Sequence, residues 1–272
     1  MATISIFFIL LICGAVVNIM SALFGVGGGV LLVPILRTLF PQLPIQVIAA
    51  CSLTIVMCIA TINLILFRRQ SIKINQKNLI FWSIGIIIGV QIGFELSFFF
   101  SDKLITAIFI ITLILLGLRT FLYKKEMQET EQGNQSEILS GMLYCGFGGF
   151  IAGVTGIGGG SIMAPLVAQL KSVNTKQIAV YTNYMMVFGG VGNLYGYLSR
   201  QSNLAVSYLS NWQFGYVNFA IVGTVVIGAL ASVYFSMKLR NLISDRIMTK
   251  LLGLILFTIA CYMGIWQYFF AT

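Results

Sequence analysis

Long apolar runs, most of them about twenty residues, alternate with short polar gaps along the whole chain. They fall at 4–23, 26–40, 45–67, 79–100 and 103–122, and again at 138–156, 158–171, 176–198, 212–236 and 246–269. A helix needs about 20 apolar residues to cross a bilayer, so this pattern predicts membrane helices, with the second run of each half unusually short. One sustained hydrophilic stretch, Tyr123 to Glu137 (YKKEMQETEQGNQSE), predicts a solvated linker. Its acids Glu126, Glu129, Glu131 and Glu137 read as that linker's solubility. The chain therefore divides into a five-helix repeat at 1–122, a linker at 123–137 and a second five-helix repeat at 138–272.

The two short runs carry one pattern. Gly25 to Pro34 reads GVGGGVLLVP and Gly156 to Pro165 reads GIGGGSIMAP, 131 positions apart. Glycine stands at the first, third, fourth and fifth places of both, and proline at the tenth. Glycine lets a backbone leave the helix or approach a neighbour closely, and proline marks interrupted hydrogen bonding. The duplication predicts two matched broken helices facing a shared site, an arrangement found in transporters. Gln46 and Gln177 keep the 131-residue offset at the start of the third run. Ser101-Asp102 and Ser244-Asp245 open the last helix of each half as N-caps, and the offset has grown to 143 there. The added residues are expected around Gly196 to Asn211, in a longer loop.

Charge placement predicts the topology. With ten crossings and the N-terminus outside, 13 basic residues lie on the inner side, and Arg37, Lys103 and Arg200 are the 3 outside. If the short runs only re-enter, the best split is 8 to 8. The positive-inside rule favours ten crossings. Five crossings per half turn the second half upside down relative to the first. The expected fold is an all-α integral membrane protein of about ten transmembrane helices in two inverted repeats of five, with glycine-broken short helices. Both termini are then outside, the linker is cytoplasmic, and the protein sits in the cell membrane.

Composition agrees and excludes other classes. The 272 residues are 58% hydrophobic and 8% charged, with a mean hydropathy of +0.97, against about 25% charged in ordinary soluble domains. The net charge of +9 lies in the gaps between apolar runs, not in a basic patch, so a nucleic-acid partner is not expected. Five cysteines lie in apolar stretches without a CxxC pair, and there is no histidine, so neither metal nor cofactor is expected. Residues 1–24 lack a basic n-region and run into the glycine motif, so they read as the first membrane helix rather than a leader. No acid pair shares an apolar run and no P-loop is present, which argues against an enzyme and against ATP-driven pumping.

The candidate site follows from the breaks. Each motif should leave a helical N-terminus near Gly28 or Gly159, with unpaired N–H groups suited to an anion. Gly25, Gly27, Gly28 and Gly29, with Gly156, Gly158, Gly159 and Gly160, are therefore substrate-binding candidates. Asn18, Ser21, Asn63 and Asn193 are intramembrane polar residues that line the pathway or pack helices. Glu95, the acid inside an apolar run, is a coupling candidate if buried and an interfacial residue otherwise. Trp212 and Trp266 near run ends read as interface anchors.

At the duplicated GxGGG motif and its following proline, the chain resembles the TauE/SafE sulfite-exporter family over essentially its whole length. The resemblance implies a transporter of small anions, typically sulfite or organosulfonates. The family tends to place a Thr-Ser pair in the third helix of each half; here those places hold Cys51-Ser52 and Thr182-Asn183. Ser52, Thr182 and Asn183 are thus further substrate-binding candidates, and Cys51 either relays a sulfur compound or fills space. The expected partners are a small anionic substrate and the lipid bilayer; the sequence fixes no oligomeric state. An anion channel, or a carrier of thiosulfate or a small carboxylate, is the alternative.

Overall fold

The computed structural model describes residues 2–25, 27–68, 72, 74–122, 135–170, 172–200, 210–242 and 245–270. The first half contains α1 (Ala2–Phe24), α2 (Gly29–Leu39), α3 (Ile45–Arg68), α4 (Gln76–Ser97) and α5 (Asp102–Leu122). The second contains α6 (Gln135–Thr155), α7 (Gly160–Val167), α8 (Thr175–Ser199), α9 (Phe219–Leu242) and α10 (Asp245–Phe270). Six of these helices are long and apolar enough to cross a membrane. Their outward faces stay apolar: Phe8, Ile65, Leu143 and Ile227 are all well exposed. Apolar surface on this scale is covered by lipid, so the chain is an all-α, multi-pass membrane protein.

Three boundaries differ from the sequence expectation. The linker gives way to α6 at Gln135, and Glu137 is not merely a solubilising charge: its carboxylate accepts the N–H of Ser172 at 2.8 Å. Glu126, Glu129 and Glu131 lie outside the described residues. The run from Trp212 does not start α9; a 3₁₀ turn (Ser210–Trp212) leads into a hairpin of β1 (Gln213–Phe214) and β2 (Val217–Asn218), turning at Gly215 with φ +56°. The 12 added residues of the second half thus belong to this α8–α9 connection. Finally, Pro34 and Pro165 lie inside α2 and α7 rather than at the breaks. Glycine alone makes the breaks, and each proline withholds one N–H from a helix already begun.

The helices pair across the halves. α4 runs parallel to α6 along a glycine seam: a Cβ on Gly85, Gly89 or Gly93 would meet the carbonyl of Met142, Gly146 or Phe150 at 2.4, 1.9 and 2.1 Å. Such contact is available only to glycine and brings the backbones together. α1 and α9 make the corresponding parallel pair, with Gly14 against the Val225 carbonyl and Gly228 against that of Leu11. α3 and α8 run antiparallel through the centre, since Phe67 clusters with Ala179 and Val180 while Met57 touches Gly190. α5 packs on α10. Exchanging α1–α5 with α6–α10 turns this pairing scheme into itself. Ser101 caps α5, donating no side-chain proton but accepting the Leu104 N–H at 3.3 Å; Ser244 lies outside the described residues. Gln177 closes a capping box with Asn174 at the start of α8, a role Gln46 does not share.

Candidate functional site

Both motifs break the chain where the glycines stand. Gly25, Gly27 and Gly28 have φ of 66°, 75° and 71°, and Gly156, Gly158 and Gly159 have 73°, 82° and 72°. This left-handed region costs an L-residue roughly 1–2 kcal/mol, so three of the four glycines in each motif are required by conformation. The fifth-place glycines, Gly29 and Gly160, begin α2 and α7. Gly29 is required by contact instead: a Cβ there would lie 1.7 Å from the Ile157 carbonyl oxygen of the other motif. The two breaks therefore touch. Val56 of α3 packs against Gly27 and Gly29 of one and Gly158 of the other.

Gly28 and Gly159 are the N-caps, and neither cap is closed by a side chain. The N–H groups of Gly28 and Gly29, and those of Gly159 and Ser161, have no acceptor among the described residues. Two helix N-termini, with donors that have no acceptor among the described residues, thus end beside one another in an apolar core. The space at Gly158 and Gly159, lined by Leu53, Ile86, Ala152 and Met185, is about 10 Å³, room for one water at most.

The third helices supply side chains. α3 turns Ala49 against Gly156 and Val56 against Gly158, which puts Ser52 on the same face, toward the second break. α8 turns Ala179 against Gly25 and Met186 against Gly27, which puts Asn183 toward the first. Ser52 and Asn183 are 131 positions apart and fully buried; Ser52 Oγ and Asn183 Oδ1 have no hydrogen-bond partner among the described residues, while the Asn183 amide donates to the Ala179 carbonyl at 2.6 Å. A buried polar atom left unsatisfied costs about 1–3 kcal/mol. Ser161 Oγ, in the first turn of α7, is likewise buried without a partner. It stands at the sixth place of the second motif, where the first has Val30, and the glycine pattern drew attention away from it.

Thr182 holds the site rather than facing it. Its hydroxyl donates to the Gly25 carbonyl at 3.0 Å and lies within reach of the Ile178 and Ala179 carbonyls, so α8 is tied to the first break. Cys51, its counterpart in α3, accepts the N–H of Asn218 from β2 at 3.3 Å. Asn18 donates to Ser232 and Ser236 of α9, and Asn63 donates to Ser21 of α1. These are interhelical bonds next to the site, and only the carbonyl oxygens of the two amides remain unpartnered. Asn193 is buried with both its amide atoms unpartnered, higher on α8. Glu95 is not a buried carboxylate: it is half exposed and pairs with Arg200 at 2.6 Å. Trp212 is exposed, while the Trp266 side chain lies outside the described residues.

The profile of the sulfite exporter TauE/SafE family matches residues 10–263. The chain belongs to the TauE/SafE family. A TauE/SafE assignment accords with its relatives, each called a probable membrane transporter protein. That of Haemophilus influenzae is 58% identical over 97% of both chains. That of Methanocaldococcus jannaschii is 28% identical over 95% of this chain and 94% of its own, and YunE of Bacillus subtilis 26% over 95% and 96%. No solved structure matches this TauE/SafE chain. Family and relatives alike speak for a membrane transporter.

Proposed function

We propose that this protein is a secondary transporter that moves a small oxyanion, sulfite or an organosulfonate, across the cell membrane by alternating access. The observation that carries this reading is the meeting of two helix N-termini without side-chain caps, each flanked by a buried polar side chain with an oxygen that has no partner among the described residues. Helix N-termini present N–H donors and about half a positive charge, and that charge is strongest where water is excluded. Ser52 and Ser161 add hydroxyl donors. Asn183 offers an acceptor, which suits the O–H of a singly protonated oxyanion. The narrowness of the space beside the breaks, with room for one water at most, favours alternating access over an open channel.

The reading includes ten crossings in two inverted repeats, with the termini outside and the linker in the cytoplasm. Two contacts support it. Glu95 at the end of α4 pairs with Arg200 at the end of α8, and Glu137 at the start of α6 holds Ser172 just before α8. Ten crossings put the members of each pair on one side of the bilayer. Re-entrant α2 and α7 would put them on opposite sides. The antiparallel course of α3 and α8 supports the inversion for the same reason.

The test is sulfite flux into liposomes holding the purified protein, with a thermal-shift series against sulfite, sulfoacetate, taurine, thiosulfate and simple carboxylates. A hydrogen bond to a charged group contributes about 1.5–3 kcal/mol. Ser52→Ala is therefore expected to raise KM for the preferred anion roughly tenfold or more while leaving the melting temperature unchanged or higher. An unchanged KM removes Ser52 from the site, and ohmic single-channel currents replace the carrier with a channel.

A further inference from the structure

Asn183, Met186, Gly190, Asn193 and Tyr197 are spaced by three and four residues, so they form one line along α8, and Arg200 caps the end of that helix. The line starts at the first glycine break, where Met186 meets Gly27, and ends at the last turn of the helix. Asn193 and Tyr197 are 0% and 1% exposed, and Asn193 Nδ2, Asn193 Oδ1 and Tyr197 Oη all lack hydrogen-bond partners among the described residues. Buried polar atoms are nearly always satisfied. The three unpartnered atoms follow one another along one face of the helix.

A lid closes this end. The hairpin lies across it: Tyr216 donates its N–H to the Tyr197 carbonyl at 3.0 Å, Gly215 packs on the carbonyls of Tyr197 and Arg200, and Asn218 reaches Cys51 on α3. Beside it Arg200 Nη2 is 2.6 Å from Glu95 Oε2, and its guanidinium lies 4.9 and 4.3 Å from the rings of Phe94 and Phe98. Phe94 in turn packs edge-on against Tyr197. The opposite end of the α3–α8 pair is looser, with a cavity of about 170 Å³ bounded by Leu64, Phe67, Arg68, Val180 and Tyr184.

We propose that the α8–hairpin end is a gate, that Asn193 and Tyr197 line the conduit under it, and that Arg200 binds the transported anion there by exchanging the Glu95 carboxylate for a substrate oxyanion. The guanidinium fork fits carboxylate and other planar pairs of anionic oxygens with the same donors, so substrate and Glu95 compete for one partner. The ion pair is partly exposed, at 37% and 49%, and such pairs are weak. A weak latch suits a gate that must open in each cycle. The anion-binding half of the proposal rests on the transporter reading above; the gate half does not.

The gate is tested by thiol modification at position 193, read by peptide mass spectrometry so that the native cysteines do not interfere. Purified Asn193→Cys protein is treated with a charged methanethiosulfonate reagent, without substrate. Adding Glu95→Gln is expected to raise the modification rate roughly two- to fivefold, and the exchanged pair Glu95→Arg with Arg200→Glu to restore the slow rate. Tyr197→Cys reports on the same conduit if Asn193→Cys does not fold. A rate indifferent to Glu95→Gln at both positions overturns the gate. The anion-binding role is read from sulfite flux: Arg200→Gln should raise KM at least tenfold more than Arg200→Lys, and equal KM values overturn it. Wild-type protein that carries no anion refutes the transporter reading while the thiol result still decides the gate.

Discussion

Gly29→Ala sets two physical effects against each other. Gly29 begins α2 with an ordinary helical φ, so alanine is conformationally welcome and should stabilise the helix by about 0.8–1.0 kcal/mol. Against this, the new Cβ would stand 1.7 Å from the Ile157 carbonyl oxygen and 3.2 Å from Val56. An ordinary carbon–oxygen contact is roughly twice the first distance. The obstacle is backbone held in the second break, not the end of a flexible side chain. Overpacking by a methyl group costs typically about 1–3 kcal/mol, and a fixed carbonyl puts this case at the upper end. The net expectation is a loss of about 2 kcal/mol, with the two helix N-termini forced apart by more than an ångström. The variant should melt at a lower temperature in detergent and lose most of its sulfite flux in liposomes. A variant that melts at or above wild type and transports normally would show that the breaks do not touch, and the shared site would fall with them.

Gly159→Ala makes the complementary case: its Cβ has ordinary contacts at 3.6 Å, but φ is +72°. The strain of roughly 1–2 kcal/mol should leave a folded protein with reduced flux, and wild-type flux would refute a fixed left-handed residue there. Thr182→Val keeps the shape but removes the bond to the Gly25 carbonyl. A loss of about 0.6–1.7 kcal/mol is expected on the scale of interhelical bonds in membranes, read as a lower melting temperature with the sulfite KM little changed.

Much of this architecture was legible in the sequence because its signals are local. The glycine pattern located both breaks to the residue: Gly28 and Gly159 are the caps, and six of the eight motif glycines have positive φ. The polar candidates were legible as residues but not as roles. Asn18 and Asn63 became interhelical ties because Ser232 of α9 and Ser21 of α1 face them, and nothing local to either asparagine names that partner. Glu95 was assigned by its depth in an apolar run, whereas its partner Arg200 is 105 positions away. The α4–α6 seam did leave a trace, Gly85, Gly89 and Gly93 at four-residue spacing, a small-residue stripe of the kind that joins membrane helices. The hairpin at Gln213–Asn218 was missed because its apolar residues continue the run that becomes α9.

The pairing of α1 with α9 bears on how the protein is made. Asn18 finds Ser232 across 214 positions of chain. At roughly 5–20 residues per second of synthesis, α1 waits about 10–40 s in lipid before its partner leaves the ribosome. During that interval the Asn18 amide and the notch at Gly14 are uncovered. The first five helices thus do not complete their packing without the second five. An insertase or chaperone that shelters α1 would shorten that exposure, and truncation before α9 should leave the Asn18 amide uncovered for membrane quality control to recognise.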